Sequence, residues 1–285
     1  MTLRILGISR ACQFSPHSQD RDAAIFAAVT ARLERTGHKI DVISEDLLSI
    51  TDLTDYDLVF SMARGRGVLS ILAEAERNGG LKVINSASSL LQLTRAQIIK
   101  LLNQHKLSLP ATCICSTNLH GQPFTPDGIN YPFWIKRVDA CAQQAGDVQL
   151  IHNATEYAQA LADFSQRNIN QYVAEQHIEG DLIKFYGVEG TPFFHYSYPT
   201  EKATFSKFGL EQANGTPLHY AFDVESLKQA ADKAARVTGM IVYGGDAVIT
   251  DQGNFFIIDF NDWPSFSACR RDAAKAIAQR IQSFA

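Results

Sequence analysis

Residues 245–266, GDAVITDQGNFFIIDFNDWPSF, hold the side chains best suited to chemistry: Asp246, Asp259 and Asn261. Ala247 to Thr250 is apolar and β-branched, and Asp251 to Asn254 carries turn chemistry. Phe255 to Phe260 is a second apolar run, so the stretch reads as strand, turn, strand. Side chains alternate along a strand, which puts Asp259 and Asn261 on one face. Hairpin pairing can bring Asp246, near the start of the partner strand, beside them. Two carboxylates and an amide oxygen converging in an apolar hairpin are costly without a cation. Hard oxygen donors suit Mg²⁺, which binds through one or two carboxylates plus the phosphates of a substrate. The stretch therefore predicts a Mg–nucleotide site. A solvated hairpin end with unrelated acids is the other reading of the same residues.

Basic and acidic groups elsewhere could serve such a site. Lys136 ends the apolar run Pro132 to Lys136, and a lysine there can project toward a phosphate. The small-residue segment from Arg137 to Gly146 could then fold over the phosphates; an exposed strand-end lysine is the alternative. Glu175, Gln176, His177, Ile178 and Glu179 close an apolar strand with two acids, which can accept from ribose hydroxyls while the backbone pairs with an adenine edge. His177 is read as a strand residue with a satisfied ring. Lys184, close after Asp181, either reaches a terminal phosphate or forms a salt bridge. Arg64 and Arg66 flank Gly65 before a helix and can bind a carboxylate or phosphate bidentately, or form a solvated pair. Arg270 and Arg271 open the last helix against its dipole, which points to an anion nearby. No GxxxxGK[ST], GxSxG or HExxH occurs, and no GxGxxG follows the first strand.

The elements that must position these groups follow from periodicity. Strands over 3–8, 39–43, 57–62 and 82–85, with helices over 23–36 and 68–78, give a β-α-β-β-α-β order and a small parallel sheet. A helix over 88–106 leads into strands over 109–115, 132–136 and 148–151, a helix over 154–166 and a strand over 172–178. Strands over 182–188 and 193–198, a helix over 224–238, the central hairpin and a helix over 270–284 complete the chain. The aromatic segment 193–208, with Lys202 and Lys207, is either core or part of an acceptor wall. A chain of 285 residues can bury a large core in two or three subdomains. The net charge of −4 does not suggest nucleic-acid binding. Five scattered cysteines, with Cys113 and Cys115 on one strand face, argue against a disulfide framework or zinc site. No run is long enough to span a bilayer, so a cytoplasmic protein is expected.

In order and spacing these pieces resemble the ATP-grasp superfamily over nearly the whole chain. The resemblance rests on KVINSASSLLQLTRAQ, LSLPAT, PFWIK, YVAEQHIEGD and GGDAVITDQGNFFIIDFND. It is closest to the glutathione-synthetase-like branch of carboxylate–amine ligases. It implies an α/β fold, α+β in its C-terminal part. An N-terminal α/β domain would span 1–92, a central lid subdomain 93–180, and a C-terminal subdomain with the metal site 181–285. Residue by residue, it implies that Lys136 contacts the α- and β-phosphates of ATP. Glu175 and the backbone of Gln176, His177 and Ile178 would hold adenine, and Glu179 the ribose. Lys184 would face the γ-phosphate, and Arg95 would stand where many members have a phosphate-binding lysine. Asp246, Asp259 and Asn261 would hold Mg²⁺, with Asp259 in place of the more usual Glu. Arg64, Arg66, Ser265 and Arg270 are assigned to the acceptor side, Lys184 and Arg270 as catalytic groups. The implied reaction is ATP-dependent joining of a carboxylate to an amine, small molecule or peptide, through an acylphosphate. A homo-oligomer is compatible with it. A small-molecule kinase on the same scaffold is the second reading. A non-catalytic nucleotide-binding protein, suggested by the single glycine in the 137–146 segment, is the third.

Overall fold

In the computed structural model, residues 2–15, 18–50, 52–117, 125–138, 144–199 and 213–284 are described, 49 and 50 by their backbone alone. Lys202, Lys207 and residues 139–143 of the 137–146 segment fall outside them.

The N-terminal elements are β1 (Arg4–Ser9), α1 (Gln19–Arg35), β2 (Lys39–Ser44), β3 (Leu58–Ser61), α2 (Arg66–Gly79) and β4 (Lys82–Ile84). The strands form one sheet in the order β2-β1-β3-β4, every pair parallel. Such strands are covered on both faces, which explains the unbroken apolar run and full burial of Ile5, Leu6 and Ile8. The helix α1 begins earlier than its apolar spacing predicts. Asp20 and Asp22 sit in its first turn, where acids suit the dipole. At the far end of α2, Gly80 caps the helix in the left-handed conformation at φ 65°.

Where one helix was expected over 88–106, there are two: α3 (Ala87–Gln92) and α4 (Arg95–Gln104). The break is a capping box. Thr94 Oγ1 accepts from the Gln97 amide at 3.3 Å, and Gln97 Oε1 accepts from the Thr94 amide at 2.8 Å. This restart places Arg95 in the first turn of α4.

A second sheet follows, built from β5 (Thr112–Ser116), β6 (Phe133–Arg137), β7 (Val148–Ile151) and, after α5 (Ala154–Gln166), β8 (Gln171–Gln176). It is antiparallel in the order β5-β8-β6-β7. Phe133, Tyr157, Phe164 and Tyr172 fill its core against α5. Cys113 and Cys115 do share a face, with their sulfurs 3.4 Å apart.

The third sheet contains β9 (Asp181–Val188), β10 (Phe194–Ser197), then α6 (Val224–Thr238), β11 (Val242–Ile249) and β12 (Phe255–Asp262), ordered β10-β9-β11-β12 and antiparallel. Leu227, Ala231, Ala234 and Ala235 of α6 pack on Phe185, Tyr243 and Phe260. The last helix, α7 (Arg270–Gln282), returns to the first sheet. Its Ile277 and Ile281, with Trp263 and Phe266, share one core with Ile5, Val29 and Phe60.

A side-chain clamp joins the first and third sheets. Buried Asn85 donates to the Val242 carbonyl at 2.8 Å and accepts from the Val242 amide at 2.7 Å. It imitates a strand neighbour at the start of β11. Asn85→Ala takes the partner from the buried Val242 amide, while the Val242 carbonyl keeps the Trp263 amide at 3.1 Å, and should cost about 1–3 kcal/mol. Urea unfolding read by tryptophan fluorescence checks this; an unchanged midpoint would mean that Val242 finds other partners.

Candidate functional site

Strand register assembles the site. Lys184 on β9 pairs with Asp246 on β11, which pairs with Asp259 on β12. Directly opposed residues on a sheet face have Cβ atoms about 4.5–5.5 Å apart, so the three side chains form a row. Asn261 stands one pleat further along β12 and donates from Nδ2 to Asp259 Oδ2 at 2.9 Å. Lys184 Nζ lies 3.4 Å from Asp246 Oδ1. Asp246 is in mid-strand, not near the strand start, and just after it the register shifts, with Ile258 of β12 as the extra, bulged residue. Bulges of this kind re-aim side chains beside functional sites. Two glycines precede it. A Cβ on Gly245 would collide with the Asp259 carbonyl and the Phe185 ring, and one on Gly244 with Pro264.

A cation from α4 approaches the same row. Arg95 donates from Nη1 to the Arg137 carbonyl at 2.8 Å, and its Nη2 is 4.0 Å from Asp259 Oδ1. Desolvation works to raise the Asp259 carboxyl. Arg95, Lys136, the Asn261 hydrogen bond and Lys184 outweigh it and hold the group below the ordinary aspartate value.

The second sheet contributes a buried ion pair. Lys136 Nζ on β6 is 2.6 Å from Glu175 Oε1 on β8, with side chains 8% and 5% exposed. The same ammonium donates to the Ile258 carbonyl of β12 at 3.0 Å, so it bridges the two sheets. Burial pushes the Glu175 carboxyl up, and Lys136 opposes that shift. The segment after β8 is fastened. Gln176 holds Asn130 and Pro132, and His177 Nδ1 accepts from Trp134 Nε1 at 3.1 Å. The ring of His177 is thus satisfied, and burial lowers its pKa. The Ile178 carbonyl accepts from Asn214, while Glu179 is exposed.

Two groups decide where the first sheet meets this site, and neither stood out in the sequence. Asp262, the last residue of β12, takes Arg64 Nη2 at 3.1 Å on Oδ1 and has Arg10 Nη2 at 3.9 Å. Arg10 is buried and also donates to Asp22, to the Met62 carbonyl and to the Trp263 carbonyl. Burial and the neighbouring Arg64 pull its pKa down. Glu45 fixes the loop beside them by accepting from the amides of Ala11, Arg64 and Gly65.

A cavity of about 820 Å³ opens from Asp259, Asn261, Arg95 and Glu175 toward Arg64 and Arg66. Lys184 and Asp246 adjoin Asp259 on the sheet face without lining it. Ser265 lies beyond β12 and bonds Ser267. Arg270 lines a separate shallow depression with Arg32, Arg35 and Arg271 between α1 and α7. The structure therefore brings together Arg64, Arg66, Arg95, Lys136, Glu175, Lys184, Asp246, Asp259 and Asn261, and sets Arg270 apart. Among the described residues no group of three His, Cys, Asp or Glu side chains is spaced to hold a metal.

Three sheets in this order have counterparts among solved structures. The D-alanine–D-alanine ligase from Bacillus anthracis complexed with ATP superposes with a TM-score of 0.64 at 13% identity, over 99% of each chain. The RimK domain ATP-grasp protein from Sphaerobacter thermophilus gives 0.63 at 17% identity, over 98% of this chain and 99% of that one. The chain has the ATP-grasp fold. No protein-family model matches its sequence, and no curated protein matches it. No described helix is long and apolar enough to cross a membrane.

The Lys136–Glu175 pair gives a direct test of the site's electrostatics. Lys136→Met leaves a buried carboxylate unpaired and should destabilise by about 3–5 kcal/mol at neutral pH. With its folded pKa raised further above the unfolded value, Glu175 then penalises the fold only where the unfolded chain ionises. The deficit should be small near pH 4 and grow as pH rises, by about 1.4 kcal/mol per unit until the folded group titrates. A deficit that is flat from pH 4 to 8 in denaturant titrations would contradict this.

Proposed function

We propose that the chain is an ATP-dependent ligase that joins a carboxylate to an amine through an acylphosphate. The observation that carries this reading is the in-register row Lys184, Asp246 and Asp259, with Arg95 and Lys136 converging on it from α4 and the second sheet. Anionic oxygens facing several cations in one cleft suit a triphosphate and its counter-ion. The fold's likeness to a D-alanine–D-alanine ligase and a RimK domain protein is consistent with it.

The donor set fits Mg²⁺. Asp246 and Asp259 oppose one another across β11 and β12, Asp259 stays ionised, and the Asn261 amide oxygen adds a neutral donor. These three residues would hold the ion, which supplies charge neutralisation on the phosphates. Aspartate at 259 shortens the ligand arm relative to the glutamate of the resembling family. Lys184 would exchange Asp246 for the terminal phosphate, and Lys136 would turn from Ile258 toward the inner phosphates. Glu175 would keep Lys136 charged and in place, and the backbone after β8 would meet the base. The acid's oxygen attacks the terminal phosphorus, the bond to ADP breaks, and the amine then displaces phosphate. Arg64 and Arg66 orient the acid, and Arg95 stays with the phosphates. A kinase reading fits less well, because an acceptor site for a polyol or phosphate would not be walled by leucine and isoleucine.

Removing the ion's donors separates binding chemistry from folding. Asp259→Ala combined with Asn261→Ala should lower Mg-dependent ATP turnover by about 100-fold or more. The thermal midpoint should stay within a few degrees of the parent, since both side chains are partly exposed in the cleft. ADP release with mixed acids and amines measures the first, and calorimetry the second. Unaltered turnover in the double variant would remove the metal assignment.

A further inference from the structure

Resting on the ligase reading, we propose that the crevice beside the metal row binds the apolar body of the acid substrate, so that the chain activates a carboxylic acid with a long or branched hydrocarbon group. The 820 Å³ cavity has two unlike sets of lining groups. One is polar, with Arg64, Arg66 and Arg95 among Glu175, Asp259, Asn261 and Asp262. The other is apolar, with Leu93, Ile98, Ile99, Leu109 and Met240. Residues 176–179, Lys136 and Lys184 do not line it; of the groups assigned to the nucleotide it shares Glu175 and Arg95, and its apolar lining is left for another ligand.

Leu93, Ile98, Ile99 and Leu109 are only partly buried although they lie between packed elements. Apolar surface left open in an enclosed crevice is the usual lining of a small-molecule pocket, with a few polar groups fixing orientation. Here the charged groups are Arg64, Arg66 and Arg95 with Glu175, Asp259 and Asp262, and each of these acids already lies beside a cation, Lys136, Arg95 or Arg64. Arg66 has one hydrogen bond among the described residues, from Nη1 to the Leu91 carbonyl at 3.3 Å, which leaves the rest of its guanidinium for a ligand. Its added positive charge favours a carboxylate over an ammonium. The occupant is therefore the acid and not the amine, with its carboxylate at the metal row and its hydrocarbon in the crevice.

Straight-chain acids from acetate to octanoate test this on the full chain, first without nucleotide. Thermal-shift titrations should give dissociation constants that fall about three- to four-fold per added methylene. Octylamine should bind more weakly than octanoate. Ile98→Trp, which fills the crevice, should flatten the length dependence; if that variant does not fold, the wild-type series still decides. Affinity independent of chain length, or tighter binding of octylamine, overturns the proposal. Hydroxylamine then replaces the unknown amine. With Mg-ATP, the acylphosphate is captured as a hydroxamate while phosphate leaves, and octanoate should outcompete acetate. Length-dependent binding with no hydroxamate from any acid overturns the ligase reading and leaves the crevice as an acid site. Hydroxamate formed equally from acetate and octanoate overturns the crevice proposal and leaves the ligase reading.

Discussion

The pairing of β9, β11 and β12 in one register is the constraint on which the site depends. Side chains on a strand alternate between faces, so a slip of one residue would turn Asp246 or Asp259 into the apolar core. The core itself forbids that slip. Phe185, Tyr243 and Phe260 occupy the opposite face and pack against α6, with Tyr243 and Phe260 stacked at 5.3 Å between centroids. Tyr243 is further held by Asp232 of α6, which accepts from its hydroxyl at 2.7 Å. The charges are thus aligned by hydrophobic packing on the reverse of the same sheet. The charged face need not be stable on its own account.

Each charged group of the site has a protein partner. Lys136 holds Glu175, Lys184 holds Asp246, and Asp259 lies between Arg95 and Asn261. These pairs differ in what they contribute. The Lys184–Asp246 pair is about a quarter exposed on each side, and such contacts stabilise by little. It can be exchanged for a phosphate at small cost. Lys136 and Glu175 are nearly fully buried, so removing either partner is expensive while both together are roughly neutral. Their arrangement fits a role in keeping an ammonium ionised at the seam between two sheets. That ammonium also touches the Ile258 carbonyl, so the seam and the metal strand cannot shift independently.

Sequence patterning made much of this legible, for physical reasons that can be named. Alternation placed Asp259 and Asn261 together, because both lie on one strand and period two is exact within it. The α6 helix was readable over its full length from the spacing of Leu227, Ala231 and Ala234, bounded by Asp223 and Gly239. Polar composition hid the start of α1, since acids in a first helical turn resemble a loop. The break between α3 and α4 was missed because Thr94 and Gln97 satisfy each other through a box that a continuous apolar pattern masks. Arg270 was assigned to the acceptor side from its unfavourable place at a helix start, yet the fold sets it in a depression beside α1. Charge at a helix end reports a local field and says nothing of which cleft that end faces. Asp262 and Arg10 escaped notice because their importance lies in a contact between chain segments about 250 residues apart, which no local pattern encodes.

That long-range contact couples the first sheet to β12. β12 ends at Asp262, and the chain then runs through Trp263 and Phe266 into the core of the first sheet. Arg10 ties the Trp263 carbonyl to the ends of β1 and β3, and Arg64 closes on Asp262 from the loop before α2. The first sheet is therefore anchored to the same strand that carries Asp259 and Asn261. Any displacement of the first sheet must move Arg64 and Arg66 relative to that strand or break a buried guanidinium network. Breaking such a network is costly, because the desolvated charges lose their partners. The Arg64 guanidinium is in this way tied to the last residue of the strand that carries Asp259 and Asn261.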